Sequence, residues 1–439
     1  MHPSLIAAAL SAALALSTGL HAQTVAPSTL ATQVLDLLDS GQYSKAETLF
    51  GRDMAQAVPA DKLKAVWESL PAQVGKSTGR GDAHIGTLAD NTLVQIPLHY
   101  EKAELVAKIA INPAGQVIGF VIQPAQTAAA LPAPAITADA KFSERELSVG
   151  SGERALPATL AMPKGNGPFP AVVLVHGSGP QDRDESIGAN KPFLDLARGL
   201  AEQGIAVLRY EKRTKARPQD FASGNFTIDD ETTNDAVLAV DTLRKVDGID
   251  PKHIFVLGHS QGGMMAPRIA AVSGHVAGLV LLAAPSRPLL DIVIEQNRRL
   301  AALNDGKIDD AERTAINVLV NEVRKTRDSK TDPSTHTVMG LPAGYWRSVD
   351  AVDPIAEAER VKLPMLLLQG ARDIQVVDAD WQNWRDAFDG NATVRFKLYD
   401  TLNHLGIAGK GEGSLAEYQQ PGHVDAQLIK DIATWVKAH

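Results

Sequence analysis

The sequence predicts an α/β fold: a doubly wound, mostly parallel sheet with a helical insertion, preceded by a small α+β domain. Three observations carry this. From residue 141 onward, short apolar runs alternate with amphipathic stretches, the pattern of strands covered by helices on both faces. One such run, Ile254-Phe255-Val256-Leu257, leads through Gly258-His259-Ser260-Gln261-Gly262 into the helix-like Met264-Met265-Ala266-Pro267-Arg268-Ile269-Ala270. Residues 28–123 instead set helices first and successive strands after them, the order of a separate α+β unit.

Taken in chain order, Leu5 to Leu16 is an apolar core of leader length, and Ser17-Thr18-Gly19-Leu20-His21-Ala22 ends in a small residue. Residues 1–22 are expected to be a signal peptide cleaved after Ala22, with the protein exported to the periplasm or secreted. The run is too short to span a bilayer, and no later segment has the length of a membrane helix. Residues 28–50 have helical apolar spacing at Leu30, Val34, Leu37, Leu38, Leu49 and Phe50, and a short helix is expected over 59–70. Strands follow at 83–88, 92–100, 104–111 and 117–122, with Asn112-Pro113-Ala114-Gly115 as a turn. Nothing in 28–123 resembles a metal or nucleotide site, which favours a folding or assembly module over substrate docking.

Residues 124–140 are rich in Ala and Pro, with Pro124, Pro132 and Pro134 stiffening a linker. Beyond it, strands are expected near 142–149, 156–162, 171–175, 205–209, 253–257, 276–283, 364–369 and 393–398. Helices are expected at 191–203, 230–246 and 424–436. Between 285 and 361 the alternation stops, and charged amphipathic helices are expected at 289–303 and 309–327.

The chemistry starts at Ser260. A Gly-x-Ser-x-Gly pentapeptide between strand and helix forms a turn so sharp that the Ser is strained and only glycine fits at its flanks. The hydroxyl is thrust above the sheet, and the N–H of Gln261 at the helix start faces whatever Ser260 attacks. Such a serine needs a base, and a carboxylate to orient that base, arriving in the order Ser, acid, His. Asp373 follows the run Pro364 to Gln369, and His404 follows the run Thr393 to Leu398, each just past a strand end. Asp378 and Asp380 compete for the acid's role, but Asp373 comes soonest after its strand. Of the 12 histidines, His404 alone follows the last strand, whereas His423, His275, His336 and His259 lie elsewhere. A second oxyanion donor is expected after Ala171-Val172-Val173-Leu174-Val175, where small residues in His176-Gly177-Ser178-Gly179 leave the Ser178 N–H approachable, with His176 bracing the loop.

The chain resembles the α/β-hydrolase superfamily over roughly residues 141–439. His176-Gly177-Ser178-Gly179, Gly258-His259-Ser260-Gln261-Gly262, Gly370-Ala371-Arg372-Asp373 and Leu402-Asn403-His404 stand in family order. More narrowly it is similar to exported bacterial carboxylesterases with an N-terminal domain of unknown function, through His176 to Asp184 and Gln369 to Val376. The resemblance implies an α/β-hydrolase domain with its cap at about 285–361, and a serine esterase needing no cofactor and no metal. Catalysis would run through Ser260, Asp373 and His404, with Gln261 and Ser178 as oxyanion donors. The expected substrate is a small-molecule ester of a small or medium acyl group; a peptidase, thioesterase or lactonase would use the same residues.

Other patterns exclude rival chemistries. Gly150 to Ala155 and Gly411 to Ala416 fit a dinucleotide fingerprint but lack its βαβ setting. Ser-x-x-Lys and His-Glu-x-x-His are absent. With no cysteine, thiol catalysis and Cys-based zinc sites are excluded, and the net charge of −8 argues against a nucleic-acid partner. The basic run Glu211 to Arg217 reads as a solvated loop. Stable membrane insertion is not expected, and the sequence leaves the oligomeric state open.

Overall fold

This computed structural model describes residues 26–88, 91–101, 103–124, 133–302 and 307–439. The expected leader lies outside the described residues. So do residues 125–132 of the expected linker, while 133–140 carries neither helix nor strand.

The N-terminal unit opens with α1 (Pro27–Asp39), α2 (Tyr43–Glu47), α3 (Arg52–Ala57) and α4 (Ala60–Val74). The apolar spacing over 28–50 does not make one helix. The chain leaves α1 at Ser40, and Gly41 at φ +70° turns it into α2. Strands β1 (Ser77–Arg80), β2 (His84–Leu88), β3 (Asn91–Tyr100), β4 (Glu104–Ile111) and β5 (Val117–Pro124) form an antiparallel sheet in the order β1-β3-β4-β5, with β2 also on β3. β1 was not expected, because its Ser-Thr-Gly-Arg sequence has no apolar face. Along β3, Val94, Ile96, Leu98 and Tyr100 are buried at every second position against Leu30, Val34, Leu35 and Leu38 of α1.

The second unit is built on eight strands: β6 (Phe142–Val149), β7 (Leu156–Pro163), β8 (Phe169–Val175), β9 (Ala206–Tyr210), β10 (Ile249–His259), β11 (Gly278–Leu282), β12 (Met365–Gly370) and β13 (Val394–Tyr399). Their order is β13-β12-β11-β10-β8-β9-β7-β6. Only the β6–β7 and β7–β9 pairs are antiparallel. The helices are α5 (Pro192–Ala201), α6 (Arg213–Ala216), α7 (Asn234–Leu243), α8 (Gln261–Ser273), α9 (Leu289–Ala302), α10 (Asp310–Arg327), α11 (Ala343–Asp350), α12 (Pro354–Val361), α13 (Asp378–Ala387) and α14 (Ala426–Ala438).

The central strands are apolar without alternation because both faces are covered. Val173, Val175, Ile254 and Val256 enter one core with α7, α8 and α13. Val172, Leu174, Phe255 and Leu257 enter the other with α5 and α14. The helix expected over 230–246 is α7 preceded by a single π-helical turn over Asp229–Thr233. Helices α9 to α12 all lie between β11 and β12, and Asp309 starts α10 with a capping box to Glu312. From the other unit, α4 packs against α10, with Lys62 Nζ 3.7 Å from Glu322 Oε1.

The run over 211–217 is not a solvated loop. Lys212 and Arg213 are buried, the first on Glu231 at 2.7 Å and the second on Asp235 at 2.6 Å and Asp220 at 2.9 Å. A negative net charge gave no sign that these cations have carboxylate partners within the fold.

Phe255 is fully buried with its ring 5.7 Å from that of Trp435, tilted edge to face. Phe255→Ala should cost about 3–5 kcal/mol of stability, read from urea unfolding at an unchanged denaturant slope.

Candidate active site

Ser260 joins β10 to α8 with φ 52° and ψ −122°, a backbone region that side-chain-bearing residues rarely enter. The neighbours make it tenable. A Cβ on Gly258 would overlap the carbonyl of Gly262, and one on Gly262 would overlap the carbonyls of Val175 and His176. The Ser260 N–H is tied to Leu282 O at 2.9 Å, and its carbonyl accepts from Met264 N at 3.0 Å to begin the helix.

Past β12, Gly370 lets another loop approach closely: a Cβ there would overlap the carbonyl of Leu402. Arg372 N donates to that same Leu402 oxygen at 3.0 Å, drawing the loops after β12 and β13 together. The outcome is a hydrogen bond of 2.8 Å between His404 Nδ1 and Asp373 Oδ2, both side chains buried. Asp373 is fixed from behind. Its Oδ1 accepts the amides of Gln375 and Val376 at 2.8 and 3.0 Å, and its Oδ2 accepts Gln369 Nε2 at 3.1 Å. With Nδ1 against a carboxylate, the proton of neutral His404 resides there and Nε2 is the basic nitrogen.

The rival carboxylates are elsewhere. Asp378 is exposed in the first turn of α13. Asp380 is fully buried, but it accepts from Ser286 N at 2.9 Å and pairs with Arg287 at 2.6 Å, fastening the chain where it departs toward α9.

Two residues not singled out in the sequence organise the rest. Glu185, four residues past Gln181, sends Oε1 to Gly177 N at 2.6 Å and Oε2 to within 2.9 Å of His259 Nδ1. The other His259 nitrogen, Nε2, donates to the carbonyl of His404 at 2.9 Å, and the two imidazoles are 4.7 Å apart. His259 therefore links the residue before Ser260 to the backbone of His404. Arg372 is the other; its guanidinium donates to the carbonyls of Gly411, Lys410 and Glu412 and pairs with Glu417, closing the loop after His404. The sequence signal for Glu185 is a polar cluster held against a buried strand end; the one for Arg372 is its place inside the Gly370 to Asp373 loop.

The loop after β8 lies beside Ser260, since a Cβ on Gly177 would stand 3.3 Å from that of Ser260. With the Gly177 N–H taken by Glu185, the next amide, of Ser178, stands at the exposed tip. Gln261 is the first residue of α8, so its N–H has no acceptor within the helix. His176 packs 5.0 Å from Phe193 and 5.2 Å from Tyr210, ring centre to ring centre, and burial with nearby Lys212 lowers its pKa to about 4 despite the pull of Glu185. A neutral, ring-packed His176 fits a brace.

The family described as "Serine aminopeptidase, S33" matches residues 167–407. Esterase EstD of Thermotoga maritima is 35% identical over 399 residues, spanning 91% of this chain and 92% of its own. The chain is an α/β-hydrolase. It belongs to the serine aminopeptidase S33 family of that superfamily, and the long EstD match sets this α/β-hydrolase among the carboxylic ester hydrolases. Residues 31–120 match a "Protein of unknown function (DUF3887)". Among solved structures, Est1E from Butyrivibrio proteoclasticus aligns at a TM-score of 0.43 and 18% identity, covering 67% of this chain and 99% of its own. The esterase domain of a Rhodothermus marinus protein aligns at 0.41 and 15%, covering 67% and 98%. Among the described residues no cluster of His, Asp and Glu could hold a metal ion, and no helix is long and apolar enough to cross a membrane.

The Glu185–His259 pair gives this α/β-hydrolase a pH signature. Burial opposes the His259 charge, but the Glu185 carboxylate, aided by the His404 carbonyl and Asp373, raises its pKa. Burial also favours neutral Glu185, but His259, His176 and the Gly177 amide prevail and lower its pKa. A raised histidine stabilises the fold below its ordinary 6.5 and loses that contribution as pH climbs through the raised value. A lowered glutamate contributes above its ordinary 4.5 and loses that as pH falls through the lowered value. Glu185→Gln should therefore depress Tm most between the ordinary values of 4.5 and 6.5, with the gap to wild type narrowing as pH climbs above 6.5, in melting curves taken across that range.

Proposed function

We propose that this α/β-hydrolase cleaves carboxylic esters of small or medium acyl groups by forming an acyl-enzyme on Ser260. The observation that carries the reading is the 2.8 Å His404–Asp373 hydrogen bond, with the His404 carbonyl held at 2.9 Å by His259, the residue before a serine strained at φ 52°. His404 takes the Ser260 proton through Nε2 as the hydroxyl attacks the ester carbonyl, then returns it to the departing alcohol. Asp373 keeps the other nitrogen protonated and stabilises the imidazolium. The N–H groups of Gln261 and Ser178 receive the oxyanion. Water activated by His404 then attacks the acyl-enzyme and frees the acid. The leader-like Leu5 to Ala22 segment supports export to the periplasm or medium as part of the same proposal.

Hydrolysis of p-nitrophenyl acetate tests the reading. Ser260→Ala should lower turnover by about a million-fold with the fold intact. Asp373→Asn should cost on the order of ten-thousand-fold, since it presents the wrong histidine tautomer, whereas Asp378→Asn should match wild type. Because the matched family is described by aminopeptidases, amino-acid p-nitroanilides belong in the same assay; faster turnover of those than of esters would replace the esterase reading with a peptidase one.

Acyl specificity is assigned to the start of α9. Gln296 Nε2 donates to Gln375 O at 2.9 Å, which sets this face of α9 against the loop that carries Asp373. Ile292, one turn earlier on that face, and Val293 are buried, as is Leu289. Ile292→Ala or Val293→Ala should change the acetate-to-hexanoate ratio of kcat/KM by about tenfold, the scale of a methylene or two in an apolar pocket. An unchanged ratio, measured across p-nitrophenyl esters, would remove α9 from specificity.

A further inference from the structure

Lys212 follows β9 and is 2% exposed. Nζ donates to Gly177 O at 2.7 Å, pairs with Glu231 Oε1 at 2.7 Å and lies 3.4 Å from Gln261 Oε1. Those three acceptors match the three protons of an ammonium. Glu231, in the π-helical turn before α7, receives the Tyr345 hydroxyl on Oε2 at 2.5 Å. Tyr345 comes from α11 of the insertion, and its oxygen lies 3.4 Å from Gln261 Nε2. Burial, then the charge and hydrogen bond of Glu231, raise the Tyr345 pKa far above its ordinary value, so the phenol remains a donor.

The Gly177 carbonyl and the Ser178 N–H belong to one planar peptide group. A cation bonded to the oxygen fixes the orientation of that plane. It also draws electron density toward the oxygen, which makes the N–H a stronger donor. Glu185 holds the preceding peptide through the Gly177 N–H, so both peptide groups of Gly177 are held by buried charges. The same ammonium and the Tyr345 hydroxyl reach the side chain of Gln261, whose backbone carries the second donor. Fold stability alone is a poor reason for this arrangement, because well-packed apolar side chains serve as well as a buried ion pair.

We propose that Lys212 is a positioning residue for the oxyanion site: its ammonium orients and polarises the Gly177–Ser178 peptide and fixes Gln261, while Glu231 and Tyr345 hold it in place. This rests on the assignment of Ser260 as nucleophile and of Ser178 and Gln261 as oxyanion donors. Because Tyr345 comes from α11, the oxyanion site draws one of its supports from the insertion.

The test uses the full chain carrying Lys212→Met together with Glu231→Gln, a pair that buries no charge, and separately Tyr345→Phe. For each, kcat and KM for p-nitrophenyl acetate are measured per site titrated with a fluorophosphonate. Inhibition by phenylethaneboronic acid is measured alongside, since its adduct on Ser260 is a tetrahedral anion. Loss of one oxyanion donor costs about 10²–10³ in kcat, so a misaligned one should cost the double variant roughly 10- to 100-fold, with KM within about twofold and boronate affinity weakened by a similar factor. Tyr345→Phe should move both in the same direction by about two- to fivefold, removing one hydroxyl and keeping the ring against Phe226 and Trp346.

A merely structural role would lower the fraction of titratable sites and leave per-site kcat and boronate affinity alone, and that result overturns the proposal. Unchanged boronate affinity in Tyr345→Phe overturns it as well, even if the double variant does not fold. Failure of the underlying reading looks different: Ser260→Ala would stay active, or wild type would respond to neither ester nor boronate.

Discussion

The backbone of Ser260 is the constraint on which the rest of the site depends. At φ 52° and ψ −122° it stores of order 1–3 kcal/mol, and such strain persists only where the surroundings overdetermine it. Here β11 holds the Ser260 amide, the loop after β8 presses on Gly262, and α8 begins on the Ser260 carbonyl. Relaxing the turn would require moving a sheet strand, a helix and a neighbouring loop together. The doubly wound core, close-packed on both faces of β8 and β10, forbids that. The fold thus keeps the serine hydroxyl at the sheet edge before any substrate arrives.

Around this rigid turn the loops are irregular and would be soft if left alone. Each is secured by a buried charge. Glu185 with His259 secures the loop after β8, Arg372 with Glu417 the loop after β13, and Asp380 with Arg287 the chain leaving β11. Buried ion pairs add little net stability, because desolvation offsets their attraction, but a half-broken one is costly. A set of such pairs therefore penalises alternative loop placements more than it favours the folded state as a whole. The site is specified by them, and its stability comes from the aliphatic core beneath.

The strand-end placement of Ser260, Asp373 and His404 was legible in the sequence, because strands with both faces buried read as unbroken apolar runs. The alternation of strands and helices past residue 141 was legible for the same reason. Charge partners were not. Lys212 meets Glu231 and Arg213 meets Asp235 about twenty residues on, through a turn whose π-helical geometry no apolar period announces. Asp380 looked like a candidate acid, since only the fold reveals that it caps the path toward α9. The break at Gly41 was hidden by apolar residues on both sides that face one shared core. Residue spacing reports which side of an element is buried; it is silent on which charges meet there.

The segment between β11 and β12 is gripped at its two ends. Arg287 and Ser286, at its entry, close on Asp380 of α13, and Glu357, near its exit, is held 3.0 Å from Arg268 of α8, which also grips Asp229 at 2.6 Å. Both grips reach side chains of helices that flank the sheet, and the entry grip also takes in Glu295 of α9, 2.6 Å from Arg287. A segment fastened this way is a cassette: apart from Glu295 and Tyr345, which reach the fastening and the site, its interior can be rewritten or lengthened while the two fastenings keep the scaffold intact. Such an enzyme can meet new substrates by rewriting the insert at positions other than Tyr345, which reaches Glu231 and Gln261 beside the strand ends below.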